Sequence, residues 1–214
     1  MPDTTVHHPL FARFYAWASP RMEKAGYGER RHQLLAGLRG RVLEVGAGNG
    51  MNFAHYPPEV THVLAVEPEP HLRALALDKA KDAQVSIQVV DGTADDLPAD
   101  DASCDAVVAS LVLCTVPDVP GALAEIRRVL QAGGELRFFE HVRADTPSLA
   151  RVQRILDATV WPWFVGGCHP HRDTRTAIED AGFTIKDLEA LRIPDTRIPA
   201  PASPHILGTA TKEG

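Results

Sequence analysis

The sequence predicts an α/β fold, a mainly parallel sheet with helices on both faces, and three observations carry that prediction. From residue 41 onward, short apolar runs alternate with helical segments, the pattern of strand–helix–strand crossovers. The first run, RVLEVGAGNG at 41–50, leads directly into E-x-G-x-G-x-G, with Glu44, Gly46, Gly48 and Gly50. The second run, THVLAVEPEP, ends its strand on Glu67, twenty-one residues after Gly46. Glycines let the backbone turn tightly and approach a ligand with no side chain between. A carboxylate at the tip of the next strand then grips both hydroxyls of a ribose. Sheets of this kind bind ligands beyond the carboxyl ends of their strands, where the strand order reverses.

The elements follow in order. Residues 9–38 read as helical and partly amphipathic, with Phe11, Phe14, Tyr15 and Trp17 on an aromatic side and Pro20 breaking the stretch. Such a stripe either packs into the core or lies as a lid over the ligand, with Tyr15 or Tyr27 lining it. Strands are expected at 41–46, 61–67, 85–90, 104–110 and 135–142. Helices fall at 71–81 and at 119–130, the second ended by Gly133-Gly134. A helix over roughly 146–160, another at 174–183 and two late strands near 183–191 and 203–210 complete the chain. The loop 192–204 holds four prolines and reads as an ordered, extended connector. At 214 residues the chain is one domain: a helical cap at 1–40, a cofactor-binding core at 41–142, and acceptor-side helices and strands at 143–214.

Composition removes several classes of function. Net charge is −6 and the basic residues are scattered, so no nucleic-acid footprint is present. No apolar run reaches the length that spans a bilayer, so no integral membrane segment is expected. MPDTTVHHPL lacks the charged and apolar regions of a secretory signal. Three cysteines without metal-ligand spacing suggest reduced thiols in a cytoplasm. The ten histidines form neither H-x-x-x-H nor a Cys/His ligand cluster along the chain, so no metal is expected.

The glycine loop is not the dinucleotide fingerprint, because its third glycine comes one residue early and Met51 follows. Glu44, just before the first glycine, would repel phosphates. It would attract the cationic end of S-adenosylmethionine (SAM), with its ammonium and sulfonium. A nicotinamide dehydrogenase is disfavoured on the same grounds. A third signal lies in DGTADDLPADDASCDAVVAS, where Gly92, Thr93 and Ala94 are small enough for a flat purine to lie against. Asp95 or a nearby backbone group would read the adenine amino group. The other reading places Asp95, together with Asp96, Asp100 and Asp101, in a solvated loop.

VLEVGAGNG, AVEPEP, DGTADDLP, CDAVVASLVLCTVPD and IRRVLQAGGELRFFEH occur in an order and spacing that resemble the class I SAM-dependent methyltransferases over residues 40–142. The resemblance implies a Rossmann-like fold with seven strands, the last pair forming an antiparallel edge, and early helices capping the cofactor. It implies that Gly46, Ala47 and Gly48 hold the methionine moiety and Glu67 the ribose. Pro68 would border the adenine, Thr93 and Ala94 would face its amino edge, and Ser110 and Leu111 would lie beneath the transferring methyl.

SLVLCTV, FFEHV, LDATVWPWFVGGCHPHRDT and PHILGTA resemble, more narrowly, the animal microsomal alkyl thiol methyltransferases, the methyltransferase-like seven family. That resemblance implies methylation of small thiols. The departure is that no hydrophobic N-terminal anchor of the animal kind is expected from these residues. Similar short methyltransferases act on phospholipid headgroups and small metabolites, so O- or N-methylation is the alternative. A SAM-binding regulatory protein without chemistry is the rival from another class.

On the acceptor side, a thiol becomes a competent nucleophile on losing one proton, and a histidine titrating near neutrality suits that task. His141, at the end of strand five on the ligand edge, is the first candidate, as general base or as a capping residue. His205 is the second, with His169 and His171 behind it. Trp161, Trp163 and Phe164 either wall an apolar acceptor pocket or pack their helix on the sheet. Asp157 and Arg172 are expected to pair structurally, and Cys104 to lie in the core. Cys114 and Cys168 fall nearer the acceptor pocket, in no nucleophile motif. The chain lacks the strand-four Asn/Asp-Pro-Pro-aromatic motif of adenine methylation and the Pro-Cys nucleophile of cytosine methylation. It also lacks the paired-glutamate loop of arginine methylation and the oxygen ligands of Mg²⁺-dependent catechol enzymes. A small-molecule acceptor remains.

Overall fold

The structure, a computed structural model, describes residues 9–159, 161–196 and 200–213. The reading of the extreme N-terminus, and part of the proline-rich connector, lie outside the described residues. Seven strands form one sheet: β1 Gly40–Val45, β2 Val60–Val66, β3 Ile87–Val90, β4 Cys104–Ser110, β5 Leu130–His141, β6 Phe183–Arg192 and β7 Pro204–Lys212. Their order is β3-β2-β1-β4-β5-β7-β6. β1 to β5 run parallel, and β7 is antiparallel to both β5 and β6. The expected architecture is therefore the observed one, including the antiparallel edge.

Period-2 alternation distributes each strand between two cores. Leu43, Val45, Val107 and Phe138 pack on one face with Leu123 and Ile126 of α4 (Val119–Val129) and Ile178 of α7 (Thr174–Asp180). Val42, Val63, Ala106, Val108 and Phe139 pack on the other, against Leu34 and Leu35 of α2 (Gly28–Leu35) and Ala76 of α3 (Pro70–Ala80). Helix starts are set locally. The Glu69 carboxylate accepts from the Leu72 N–H at 2.8 Å, and Asp118 accepts from the Gly121 N–H at 3.0 Å. Each satisfies a donor that the first helical turn cannot pair.

Register then decides which residues share the ligand edge. Val45 pairs with Val66 and Ala109, Ser110 with Phe139, and His141 with His205. The carboxyl ends of β1, β2, β4 and β5 thus meet the start of β7 along one rim. Behind the rim, Gln153 of α5 (Pro147–Asp157) is fully buried. It accepts from the Ala144 N–H and donates to the Val142 and Pro201 carbonyls, tying the chain after β5 to the entry of β7.

Three expectations need correction. Helix α1, Pro9–Met22, runs through Pro20, and the chain turns instead at Gly26, which takes φ +113° inside a π-helical turn, Glu23–Tyr27. Pro20 sits in the last turn, where a proline removes one backbone bond, whereas the left-handed φ at 26 needs a glycine. The aromatic side of α1 is divided. Phe11 and Tyr15 stack inward at 5.8 Å, while Phe14 and Trp17 are each 59% exposed. Gly133-Gly134 lies within β5 rather than ending α4, because the chain turns extended at Leu130. Among the described residues no helix is long and apolar enough to cross a membrane.

Candidate active site

The site begins at the glycine loop after β1. Gly46 and Gly48 take φ +60° and +58°, and a Cβ at Gly46 would stand 2.6 Å from a Val112 methyl. Only glycine allows the loop to lie that close to the segment after β4. The Glu67 carboxylate is turned into the loop, with Oε2 accepting from the Gly48 N–H at 2.7 Å and Oε1 from the Glu69 N–H at 2.9 Å. Burial raises its carboxyl above the usual range. Tyr15 lies over the loop, its Cε1 3.4 Å from where a Cβ on Gly48 would be. Ala47 is buried, and next to Gly48 the Asn49 amide donates to Ser19 Oγ at 2.8 Å. Asn49 Oδ1 is buried without a partner among the described residues, an acceptor left over at the loop.

Glu44 serves the loop from within. Its oxygens accept from Asn52 Nδ2 at 2.8 Å and from the Tyr56 hydroxyl at 2.7 Å, so protein donors hold both ends of the carboxylate expected to face a cation. Burial lifts its carboxyl to about 7, against the lowering effect of those two hydrogen bonds. The cation beside it is Arg31 of α2. Arg31 Nη1 donates to Asn52 Oδ1 at 2.8 Å and to Ser110 Oγ at 3.2 Å, while Nε pairs with Glu23 at 3.2 Å. A buried guanidinium thus links the helical cap, the glycine loop and the tip of β4.

Where the purine is expected, Pro68 is half-buried and its carbonyl accepts from Arg73 at 2.9 Å. Thr93 bridges to Asp96, and Ala94 packs on the core. Asp95, Asp96 and Asp100 are exposed, and Asp101 pairs with Arg128 at 2.8 Å.

At the tip of β4 the backbone is strained. Leu111 takes φ +61°, an uncommon conformation for a residue with a branched side chain, and its N–H donates to the Phe139 carbonyl at 2.7 Å. Glu140, fully buried in β5, holds the turn that follows. Its Oε1 accepts from the Val112 and Leu113 N–H groups and its Oε2 from Cys114, at 3.0, 2.9 and 3.1 Å. Burial, with Cys114 beside it, keeps that carboxyl well above its ordinary value. Arg172 completes the clamp by donating to the Leu113 and Val116 carbonyls at 2.7 and 2.6 Å. Arg172 is therefore not the partner of Asp157, which pairs with His169 at 3.0 Å. A guanidinium facing two orphan carbonyls satisfies more buried groups than one carboxylate would.

The residues expected on the acceptor side come from distant segments that the fold brings together. His141 Nδ1 lies 3.6 Å from Cys114 Sγ and 3.7 Å from Cys168 Sγ, all three residues being buried. Spacing along the chain shows no Cys/His cluster; the fold makes one. The His141 ring stands 4.4 Å from that of His205, which stacks on Phe139 at 5.1 Å. His205 Nδ1 meets the Ser203 carbonyl at 2.8 Å and Nε2 meets the Tyr27 hydroxyl at 3.2 Å. Since the carbonyl takes the Nδ1 proton, the tyrosine donates to Nε2. Burial, then the nearby His141, lowers the His205 pKa to about 3. Expected as a second catalytic histidine, His205 is a neutral ring with both nitrogens engaged. Trp161 is half-buried in α6 (Trp161–Phe164), its buried indole N–H having no partner among the described residues, and the Trp163 side chain lies outside the described residues. Cys104 is in the core, as expected.

Two site residues, Arg31 and Glu140, escape sequence reasoning. Arg31 reaches the rim only because the chain turns at Gly26, which no local pattern announces, and Tyr27, one of the two tyrosines expected to line a lid, meets His205 instead. Glu140 stands beside His141 in the FFEH run, and its burial in a strand was the available signal.

The donor set fits SAM. Left-handed glycines permit close approach, Glu67 offers a carboxylate for a diol, and Arg31 supplies a cation for the amino-acid end. Comparison with known proteins agrees. Residues 43–138 match the family described as methyltransferase domain. Thiol S-methyltransferase TMT1B of Homo sapiens is 36% identical over 183 residues, covering 83% of this chain and 74% of that protein. Thiol S-methyltransferase TMT1A of Homo sapiens is 34% identical over 191 residues, covering 84% and 75%. A SAM-dependent methyltransferase from Thermotoga maritima has the same fold, with a TM-score of 0.71 at 22% identity over 95% of this chain and 98% of that one.

Proposed function

The chain belongs to the thiol S-methyltransferase family of class I SAM-dependent methyltransferases, and from that membership we propose that it methylates a small, fairly apolar thiol. The observation that carries the reading is identity of 34–37% with named thiol S-methyltransferases across most of the chain. The buried Cys114–His141–Cys168 group at the acceptor rim supports it.

When bound, SAM supplies an electrophilic methyl group on a sulfonium. The work of this chain is to hold and align. Glu67 would take the ribose hydroxyls, exchanging its bond to the Gly48 N–H for them. Pro68, Thr93 and Ala94 would border the base. Gly46, Ala47 and Gly48 would lie along the methionine chain, with Arg31 on its carboxylate and Tyr15 closing the loop from above. Ser110 and Leu111 would set the floor beneath the methyl, and Glu140 keeps that floor in place. Alignment of acceptor and methyl at roughly 3–3.5 Å is the main source of rate in such a displacement. Activation of the thiol is assigned to His141, with Cys114, Cys168 and Trp161 around the acceptor. Tyr27 and His205 position the His141 ring. Unpaired buried cysteines are consistent with a reducing, cytoplasmic setting.

The test is transfer of radiolabelled methyl from SAM to a panel of alkyl and aryl thiols, each beside its alcohol and amine analogue. Transfer to thiols alone is expected, and His141→Ala should lower turnover with SAM affinity unchanged. Transfer confined to alcohols or amines would overturn the thiol reading and leave the methyltransferase assignment in place.

A further inference from the structure

We propose that Cys114, His141 and Cys168 form a three-ligand site for Zn²⁺, and that the acceptor thiolate is the fourth ligand. The choice of fourth ligand rests on the thiol reading above; the ion site itself does not.

The first support is geometric. The two sulfurs lie 3.6 and 3.7 Å from the same imidazole nitrogen, and the three ligand atoms all fall within 4.8 Å of one another. In a tetrahedral site, Zn–S bonds of about 2.3 Å and Zn–N bonds of about 2.0–2.1 Å put sulfur and nitrogen roughly 3.6 Å apart. The two sulfur–nitrogen separations match two edges of that tetrahedron.

The second support is construction. Each ligand comes from a different segment, and each segment is pinned. The Cys114 N–H donates to Glu140 at 3.1 Å, and the Cys114 carbonyl accepts from the His169 N–H at 2.7 Å. His141 ends β5 in register with His205, whose ring packs against its own. Cys168 follows Gly166 and Gly167, both at positive φ, and a Cβ on Gly166 would strike the Phe11 ring at 2.5 Å. The helical cap therefore buttresses the turn that presents the second sulfur.

Chemistry selects the ion. Two thiolates and an imidazole are soft to borderline ligands that favour zinc over magnesium or calcium. Two thiolates and a neutral imidazole cancel the charge of Zn²⁺, which suits a buried position. Three protein ligands leave one tetrahedral vertex open, the arrangement of catalytic rather than structural zinc.

The step balances without redox change. The acceptor R–SH binds zinc and releases its proton to solvent, since a coordinated thiol ionises readily. A sulfur lone pair then forms the S–CH₃ bond while the methyl–sulfonium bond breaks. That electron pair stays on the departing S-adenosylhomocysteine sulfur. The product thioether, a weaker ligand, leaves the metal. His141 thus activates the thiol as a ligand rather than by taking its proton.

The test uses the full chain, isolated under reducing conditions, with zinc quantified by mass spectrometry and Co²⁺ substituted as a spectroscopic probe. About one zinc per chain is expected, with thiolate-to-cobalt charge-transfer bands. Both should vanish in Cys114→Ser and Cys168→Ser and persist in Cys104→Ser, with SAM affinity retained throughout to report folding. An alkyl thiol should shift the cobalt ligand-field bands, and chelation of the zinc should cut thiol methylation at least tenfold. Full thiol methylation by metal-free protein would overturn the proposal and leave the thiol reading standing, as would a Cys114–Cys168 disulfide in the active enzyme. Stoichiometric zinc with transfer only to alcohols or amines would sustain the ion site and remove the thiol as its fourth ligand.

Discussion

The carboxylate of Glu67 and the backbone N–H of Gly48, nineteen residues apart, meet at 2.7 Å. The end of β2 thereby closes on the loop after β1, and the ribose contact proposed above would use the same carboxylate. Glu67→Ala removes the diol contact and leaves the Gly48 and Glu69 N–H groups unpaired. A loss of about 2–3 kcal/mol corresponds to roughly 30- to 150-fold weaker SAM binding. Calorimetry checks this, and unchanged affinity would remove Glu67 from the site.

Arg31 is the only cation that reaches both the loop and Ser110 among the hydrogen bonds of the described residues. Arg31→Met keeps the apolar stem and deletes the charge. SAM affinity should fall about tenfold or more, and the melting temperature should drop because Glu23 Oε2 and Asn52 Oδ1 lose their donor. Loss of stability with full SAM affinity would assign Arg31 to the scaffold alone.

Glu140→Gln tests the strained turn. One carboxylate oxygen can be replaced by an amide oxygen that still serves Val112 and Leu113. The amide NH₂ would then oppose the Cys114 N–H, setting donor against donor. A destabilisation of about 1–3 kcal/mol is expected in denaturant titrations, together with weaker SAM binding. Unaltered unfolding would show that the turn holds without its triple acceptor.

Two buried groups give opposite pH trends. Glu44, raised to about 7 from 4.5, binds its proton more tightly when folded, so its contribution falls as pH rises from about 4.5 to 7. His205, lowered to about 3 from 6.5, is held neutral when folded, so its contribution is full above pH 6.5 and is lost as pH falls toward 3. The trends partly offset each other between pH 4.5 and 6.5. Glu44→Gln removes one of them. The variant should gain stability at pH 8 relative to wild type and lose it more steeply on acidification, as read by urea unfolding across that range. Parallel wild-type and variant profiles would contradict the assignment.

Local pattern made the sheet and the glycine loop with its facing acid legible. A glycine loop after an apolar strand and an acid at the next strand tip are constraints between residues near in sequence. They locate Gly46, Gly48 and Glu67 before any packing is known. Period-2 alternation likewise places Leu43 and Val42 on opposite faces. Helix ends were less legible: Pro20 proved compatible with α1, and Gly133 entered a strand.

What the sequence determined by itself was therefore the α/β fold, the glycine loop with Glu67 at the next strand tip and His141 at the end of β5, because each rests on short-range periodicity or spacing. Only the tertiary structure decided that Arg31 and Tyr27 reach the ligand rim, that His205 is locked neutral, and that Cys114, His141 and Cys168 converge. Those contacts span tens to more than a hundred residues. They exist because strand register, the turn at Gly26 and the Glu140 clamp bring distant segments together, and none of these leaves a periodic trace along the chain.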